Sequence, residues 1–152
     1  MLPDTRFGKE SAKWCFYLPT PPQLPINWHD QQPDAMASIV ALNGNHWRKI
    51  SVIMAKISAP DDDWRSYQAS LLRQDTQIQF AADDYKQPAK IHLICGQQSA
   101  QKLGVDIKLT PQSFMDVSGE NQTRILLPYL DYRQFPNRAI HELRQYLHAI
   151  TD

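Results

Sequence analysis

The feature that most constrains this chain is the run Lys90-Ile91-His92-Leu93-Ile94-Cys95-Gly96-Gln97-Gln98-Ser99-Ala100-Gln101-Lys102-Leu103-Gly104. Residues 91–95 form a short apolar stretch of strand length. Gly96 then permits a sharp turn, residues 97–103 have room for two helical turns, and Gly104 supplies the left-handed conformation on which helices commonly end. Strand, glycine and helix in that order make an α/β unit, in which the helix carries the chain back so that the strands pair mainly in parallel. The rest of the sequence has to supply further strands for that sheet and helices for its two faces.

Residues 14–18 (Trp14-Cys15-Phe16-Tyr17-Leu18) and 123–127 (Thr123-Arg124-Ile125-Leu126-Leu127) read as strands, the second closed by Pro128, which lacks the donor a central ladder needs. Residues 38–42 read as a short strand before the turn signal Asn43-Gly44-Asn45, 76–80 is ambiguous, and 105–109 alternates like a brief edge strand. The clearest helix is 46–58, where Trp47, Ile50, Ile53, Met54 and Ile57 fall on one stripe and no acidic residue occurs. Asp61-Asp62-Asp63 opens another helix with an apolar side at Trp64, Tyr67, Leu71 and Leu72, and Asn137 is placed to cap a terminal helix with a stripe at Ile140, Leu143, Leu147 and Ile150. Residues 1–13 lack periodicity and read as a mobile arm or an edge wrap, whereas 110–121 reads as an exposed excursion. The closely spaced prolines of 19–25 enforce a stiff extended connector. At 152 residues the expectation is one three-layer α/β domain with helices on both faces of the sheet.

Sixteen basic residues balance sixteen acidic ones, so no whole-molecule field draws in nucleic acid or an anionic membrane, and a charged partner has to meet a local patch. Cys15 and Cys95 both lie in apolar runs and read as buried thiols, not as a disulfide or metal ligands, which points to a reducing, cytoplasmic setting. No window is long and apolar enough to span a bilayer. His141 and His148 are too far apart along their helix to share a metal, so no metal site is expected.

In an open parallel sheet, ligands collect where the loops leave the carboxyl ends of the strands. That rule selects four stretches: the proline loop, 43–46, 96–99 and 129–134. The last is the richest, with Asp131, Tyr132 and Arg133 in succession. Arg133 has the planar fork that binds phosphate with two hydrogen bonds, Tyr129 and Tyr132 offer rings for stacking, and Asp131 can orient water. The plain alternative is a connecting loop in which Asp131 pairs with Arg133 and the tyrosines cover the core edge. His46, after a turn and before a helix, is a candidate base beside Asn43 and Asn45, unless it is simply a solvent-facing helix start. His92 alternates with core positions and reads as structural. Gln97 and Ser99 sit in a turn that has one glycine and no lysine, too little for a nucleotide loop, so no cofactor is expected.

The run 91–104, the strand and polar loop at 125–134 and the closing helix together resemble the C-terminal half of the uracil-DNA glycosylase superfamily. Leu18-Pro19-Thr20-Pro21-Pro22 occupies the place of that family's first site loop, and 44–57 resembles the helix that follows it. The resemblance implies the superfamily's fold. It does not carry the chemistry across, because the first loop lacks the glycine-proline element and the polar residue that positions water. Leu130-Asp131-Tyr132 stands where the family presents histidine, proline and serine, and the two cysteines are half the four its cluster-binding members need.

The expectation is therefore a glycosylase-like domain that binds nucleic acid or a phosphorylated small molecule without glycosylase activity. His46 and Asp131 are the catalytic candidates should any chemistry remain. Asn43, Asn45, Gln97, Ser99, Tyr129, Tyr132 and Arg133 are the candidate ligand contacts. The alternative is a non-catalytic protein that docks a protein partner through the proline loop 19–25.

Overall fold

A computed structural model describes residues 6–86, 88–119 and 121–151 of the chain, and in it the organising strand lies at the middle of a six-stranded sheet. In chain order the elements are β1 (Arg6–Phe7), β2 (Trp14–Leu18), α1 (Ala35–Asn43), α2 (Asn45–Ser58), α3 (Trp64–Ala69), β3 (Thr76–Phe80), β4 (Ile91–Cys95), α4 (Gln97–Lys102), β5 (Met115–Asp116), β6 (Thr123–Leu127) and α5 (Asn137–Ile150). The strand order is β1-β3-β2-β4-β6-β5. The strand, turn and helix expected from 90–104 form as β4, Gly96 at φ +91° and α4, with Gly104 at φ +77° past the helix end.

The sheet is mixed, not mainly parallel. β3, β2, β4 and β6 pair in parallel, while the two-residue edge strands β1 and β5 run antiparallel to β3 and β6. These edge strands are too short to show a period of two, so the sequence gives them no signal. β5 also lies inside the stretch expected to be irregular, whereas 105–109 forms no strand. Val105 and Leu109 instead lean half-buried against the sheet face.

Residues 38–42 belong to helix α1, not to a strand. A short run of four apolar residues after Ser38 fits either element, and here Met36 and Ile39 bury one helical side while the Trp28 indole donates to the Ala35 carbonyl at 2.9 Å. Residues 6–13 form an edge wrap: Phe7 is fully buried, and Gly8, at φ +91°, passes so close that an added Cβ would lie 2.5 Å from the Thr76 carbonyl oxygen. Residues 1–5 of the expected arm lie outside the described residues. Asp63 caps α3 as expected, accepting from the Ser66 amide at 3.3 Å. Leu71 and Leu72 bury in a short 3-10 turn past its end. Asn137 is the first residue of α5 and does not cap it; its side chain accepts from Lys56 Nζ at 2.9 Å.

Alternation along the strands creates two unlike faces. Phe16, Leu18, Ile78, Leu93, Cys95, Ile125 and Leu127 meet α1, α2 and α5 in the larger apolar cluster. Arg144 of α5 fastens this layer by donating to the carbonyls of Lys56 at 3.0 Å, Ala59 at 2.8 Å and Asp61 at 2.9 Å, where α2 runs out of its own acceptors' partners. Cys15, Tyr17, Ile94 and Leu126 face the other way, under Ala100 of α4, Ala82, Tyr85, Leu103 and Val105. Helices on both faces were expected, but among the described residues only the two-turn α4 is helical on this side and loop segments complete the cover.

Candidate ligand-binding cleft

The carboxyl ends of β4 and β6 open onto a cleft of about 320 Å³. One wall is the Gly96 turn and Gln97, a second is 109–112, and the third is the loop that follows β6. That loop is built by its own sequence. Leu130 and Phe135 are fully buried and anchor it at both ends. Between them the Asp131 carboxylate accepts from the Arg133 amide at 3.0 Å, and the Asp131 carbonyl accepts from the amides of Gln134 at 2.9 Å and Phe135 at 2.8 Å. This is the side-chain-to-backbone turn that aspartate favours.

Three residues of the loop reach across to α2. The Tyr129 hydroxyl shares a 2.9 Å hydrogen bond with His46 Nε2, Asp131 Oδ2 lies 3.7 Å from Lys49 Nζ, and Lys56 Nζ donates to the Tyr132 hydroxyl at 3.2 Å. Arg133 and Gln134 are left facing the cleft and solvent. Asp131 is held below the usual carboxylate range, chiefly by the Arg133 amide and further by the charge of Lys49. Burial pushes the Tyr129 phenol up to about 12, so it stays protonated.

The expected contacts therefore separate. Tyr129, Arg133 and Gln97 line the cleft, and His46 and Asp131 stand behind its rim as partners of Tyr129 and Lys49. Tyr132 is not an open stacking platform, because Lys56 Nζ sits 5.2 Å over its ring and 5.0 Å from that of Trp64. Asn43 lies away from the cleft and ties the proline loop to α1, accepting from the Gln23 amide at 2.9 Å and donating to the Gln23 carbonyl at 2.8 Å. Asn45 accepts both Nε and Nη2 of Arg48. Ser99 is buried in α4, and its hydroxyl has no hydrogen bond among the described residues. Thr110 and Gln112 of the cleft were not anticipated, since a loop distant in sequence carries no local sign of where it lands; Lys49 was foreshadowed only by the acid-free helix.

The model of DUF6942, a family of unknown function, matches residues 5–148. The chain belongs to this family. No curated protein and no solved structure matches it.

In this DUF6942 chain the described residues of the cleft lining include one cation, Arg133, and no carboxylate, among neutral amides and hydroxyls over an apolar floor at Leu126, Leu127 and Pro128. Such a lining suits a small ligand with one anionic group, which a guanidinium can take with two parallel hydrogen bonds. Among the described residues no group of three or more histidine, cysteine, aspartate or glutamate side chains could hold a metal, and no helix is long and apolar enough to cross a membrane.

Proposed function

We propose that this protein binds a phosphate-bearing ligand of about mononucleotide size in the cleft between the Gly96 turn and the 129–134 loop, without glycosylase chemistry. The observation that carries the reading is Arg133. It lines an open cleft of about 320 Å³, its guanidinium makes no hydrogen bond among the described residues, and the loop residues before it, Tyr129, Asp131 and Tyr132, are clasped to α2. The volume lies at the lower end of small-molecule sites. The zero net charge favours a compact ligand over a long phosphate backbone, which one cation would hold weakly. The resemblance of the sequence to the glycosylase superfamily supports a nucleotide-like ligand, and the two buried free thiols accord with a cytoplasmic setting.

The test is a tryptophan-fluorescence titration of wild type and Arg133→Ala with inorganic phosphate, nucleoside monophosphates and a single-stranded oligonucleotide, at low and high salt. Wild type is expected to bind the monophosphates saturably. Arg133→Ala is expected to lose about tenfold or more in affinity with its melting curve unchanged. Equal affinity in the two proteins sinks the reading. Stronger, steeply salt-dependent binding of the oligonucleotide would move it to nucleic acid.

A second reading, docking of a protein partner beside the prolines of 19–25, is favoured by Ile26, which is 93 % exposed immediately after them. Absence of any phosphate-ligand binding at low salt would turn the argument to that loop.

A further inference from the structure

The loop-covered face carries a row of polar side chains at one level. Strand register sets Gln77 beside Cys15, Cys15 beside His92, and His92 beside Arg124. Neighbours in register share a face. His92 is fully buried there. Its Nδ1 shares a 2.7 Å hydrogen bond with the Tyr17 hydroxyl, while its Nε2 has no hydrogen-bond partner among the described residues. The Tyr17 ring stacks at 5.8 Å and the Tyr85 ring stands edge-on at 5.3 Å.

The cover over this histidine is slight. Tyr85 is held by the Arg124 guanidinium, 3.9 Å from its ring centroid, and the Lys86 amide donates to the Tyr17 hydroxyl at 3.1 Å. The ionisable groups around the imidazole are Cys15 and Tyr17 from β2, Arg124 from β6, and Tyr85 and Lys86 from the cover. The charge of Asp84 acts on Tyr85, and no carboxylate acts on His92. A second proton on this ring would be buried beside a guanidinium, favoured only by the Ala89 backbone, which is outweighed by burial and by the Arg124 charge. The ring accepts it readily only where the cover lifts and water enters.

We propose that protonation of His92 selectively loosens the loop-covered face of the sheet while the helix-covered face stays closed, giving the fold an acid-responsive side. Leu109 and Leu126 belong to this face and also line the cleft, so loosening relaxes one of its walls. The inference goes beyond the ligand reading and is tested without any ligand, so either can fail alone.

The direction follows from linkage. Burial first, and then the Arg124 charge, lowers His92 from 6.5 to about 4. Above 6.5 the closed and open states are both neutral and pH has no effect through this group. Between 6.5 and about 4 the open state takes up a proton that the closed state refuses, so opening grows as pH falls, and below about 4 the effect levels off.

The chain contains its own reporters. Cys15 belongs to the loop-covered cluster and Cys95 to the helix-covered one, and both are buried free thiols. The full-length protein is labelled with dithiodipyridine at about pH 7 and about pH 5, and each rate is read by peptide mass spectrometry and divided by its rate in denaturant at the same pH. The protection of Cys15 is expected to fall relative to that of Cys95 by up to about twentyfold between the two conditions. In His92→Gln that step is expected to vanish. Parallel loss of protection at both cysteines, or no loss at Cys15, overturns the proposal, as does a step that survives in His92→Gln. If that variant does not fold, the wild-type ratio decides by itself.

Discussion

On one face of the sheet α1, α2 and α5 lay apolar stripes over Phe16, Leu93 and Ile125, and Arg144 in the middle of α5 holds the carbonyls at the end of α2. On the other, one two-turn helix and several loop segments close over Ile94 and Leu126, and much of the contact is made by tyrosines, glutamines, a histidine and an arginine. The helical face is closed by many interchangeable dispersion contacts spread over long elements. The loop face is closed by a few directional contacts, each of which can be lost singly. Equal burial on the two faces thus conceals unequal resistance to local opening.

The sharpest way to break this comparison uses neighbours in β4 that point to opposite faces. Leu93→Ala is expected to cost about 3–5 kcal/mol and Ile94→Ala nearer 2 kcal/mol, because loops collapse into a cavity more easily than packed helices do. Urea unfolding of both variants measures it, and equal losses would show that the faces are equally rigid. Next in size, Arg144→Met removes three hydrogen bonds to helix-end carbonyls and is expected to cost about 1–3 kcal/mol in the same assay. The protection of Cys15 in that variant should fall only as far as that of Cys95, since the whole domain weakens together. The smallest global effect is expected for Tyr85→Ala, about 1 kcal/mol, since it removes two edge-on aromatic contacts, to Tyr17 and His92, and one cation-π pair from a half-exposed site. Its local effect should be larger: Cys15 should label faster while Cys95 hardly changes, and equal acceleration at both would remove the distinction between the faces.

The same division governs what could be read from the sequence. The stripes of α2 and α5 and the strands β2, β4 and β6 were legible because a long periodic pattern or an isolated apolar run reports directly on burial. The assignment failed at 38–42, where four apolar residues after Ser38 cannot choose between strand and helix without knowing that Trp28 pins the start of the helix at Ala35. The Tyr17–His92 pair and the seat of Gln77 on the carbonyls of Glu10 and Ala12 join residues far apart in sequence, and no local signal announces them. The cleft was half legible. The rule about carboxyl ends of strands found Gln97, Tyr129 and Arg133, but it also selected Asn43 and Asn45, whose side chains are taken up by Gln23 and Arg48.

The two-residue edge strands also shape the company this chain can keep. A sheet that ended on β3 and β6 would offer neighbours two rows of open backbone amides five residues long, the usual template for runaway strand stacking between molecules. β1 and β5 cover part of each row and then turn away, so neither rim offers a long straight ladder to copy. Association by adding a foreign strand is thereby discouraged at both rims, and a visiting chain is steered toward the loops, where side chains and not bare backbone decide what is admitted.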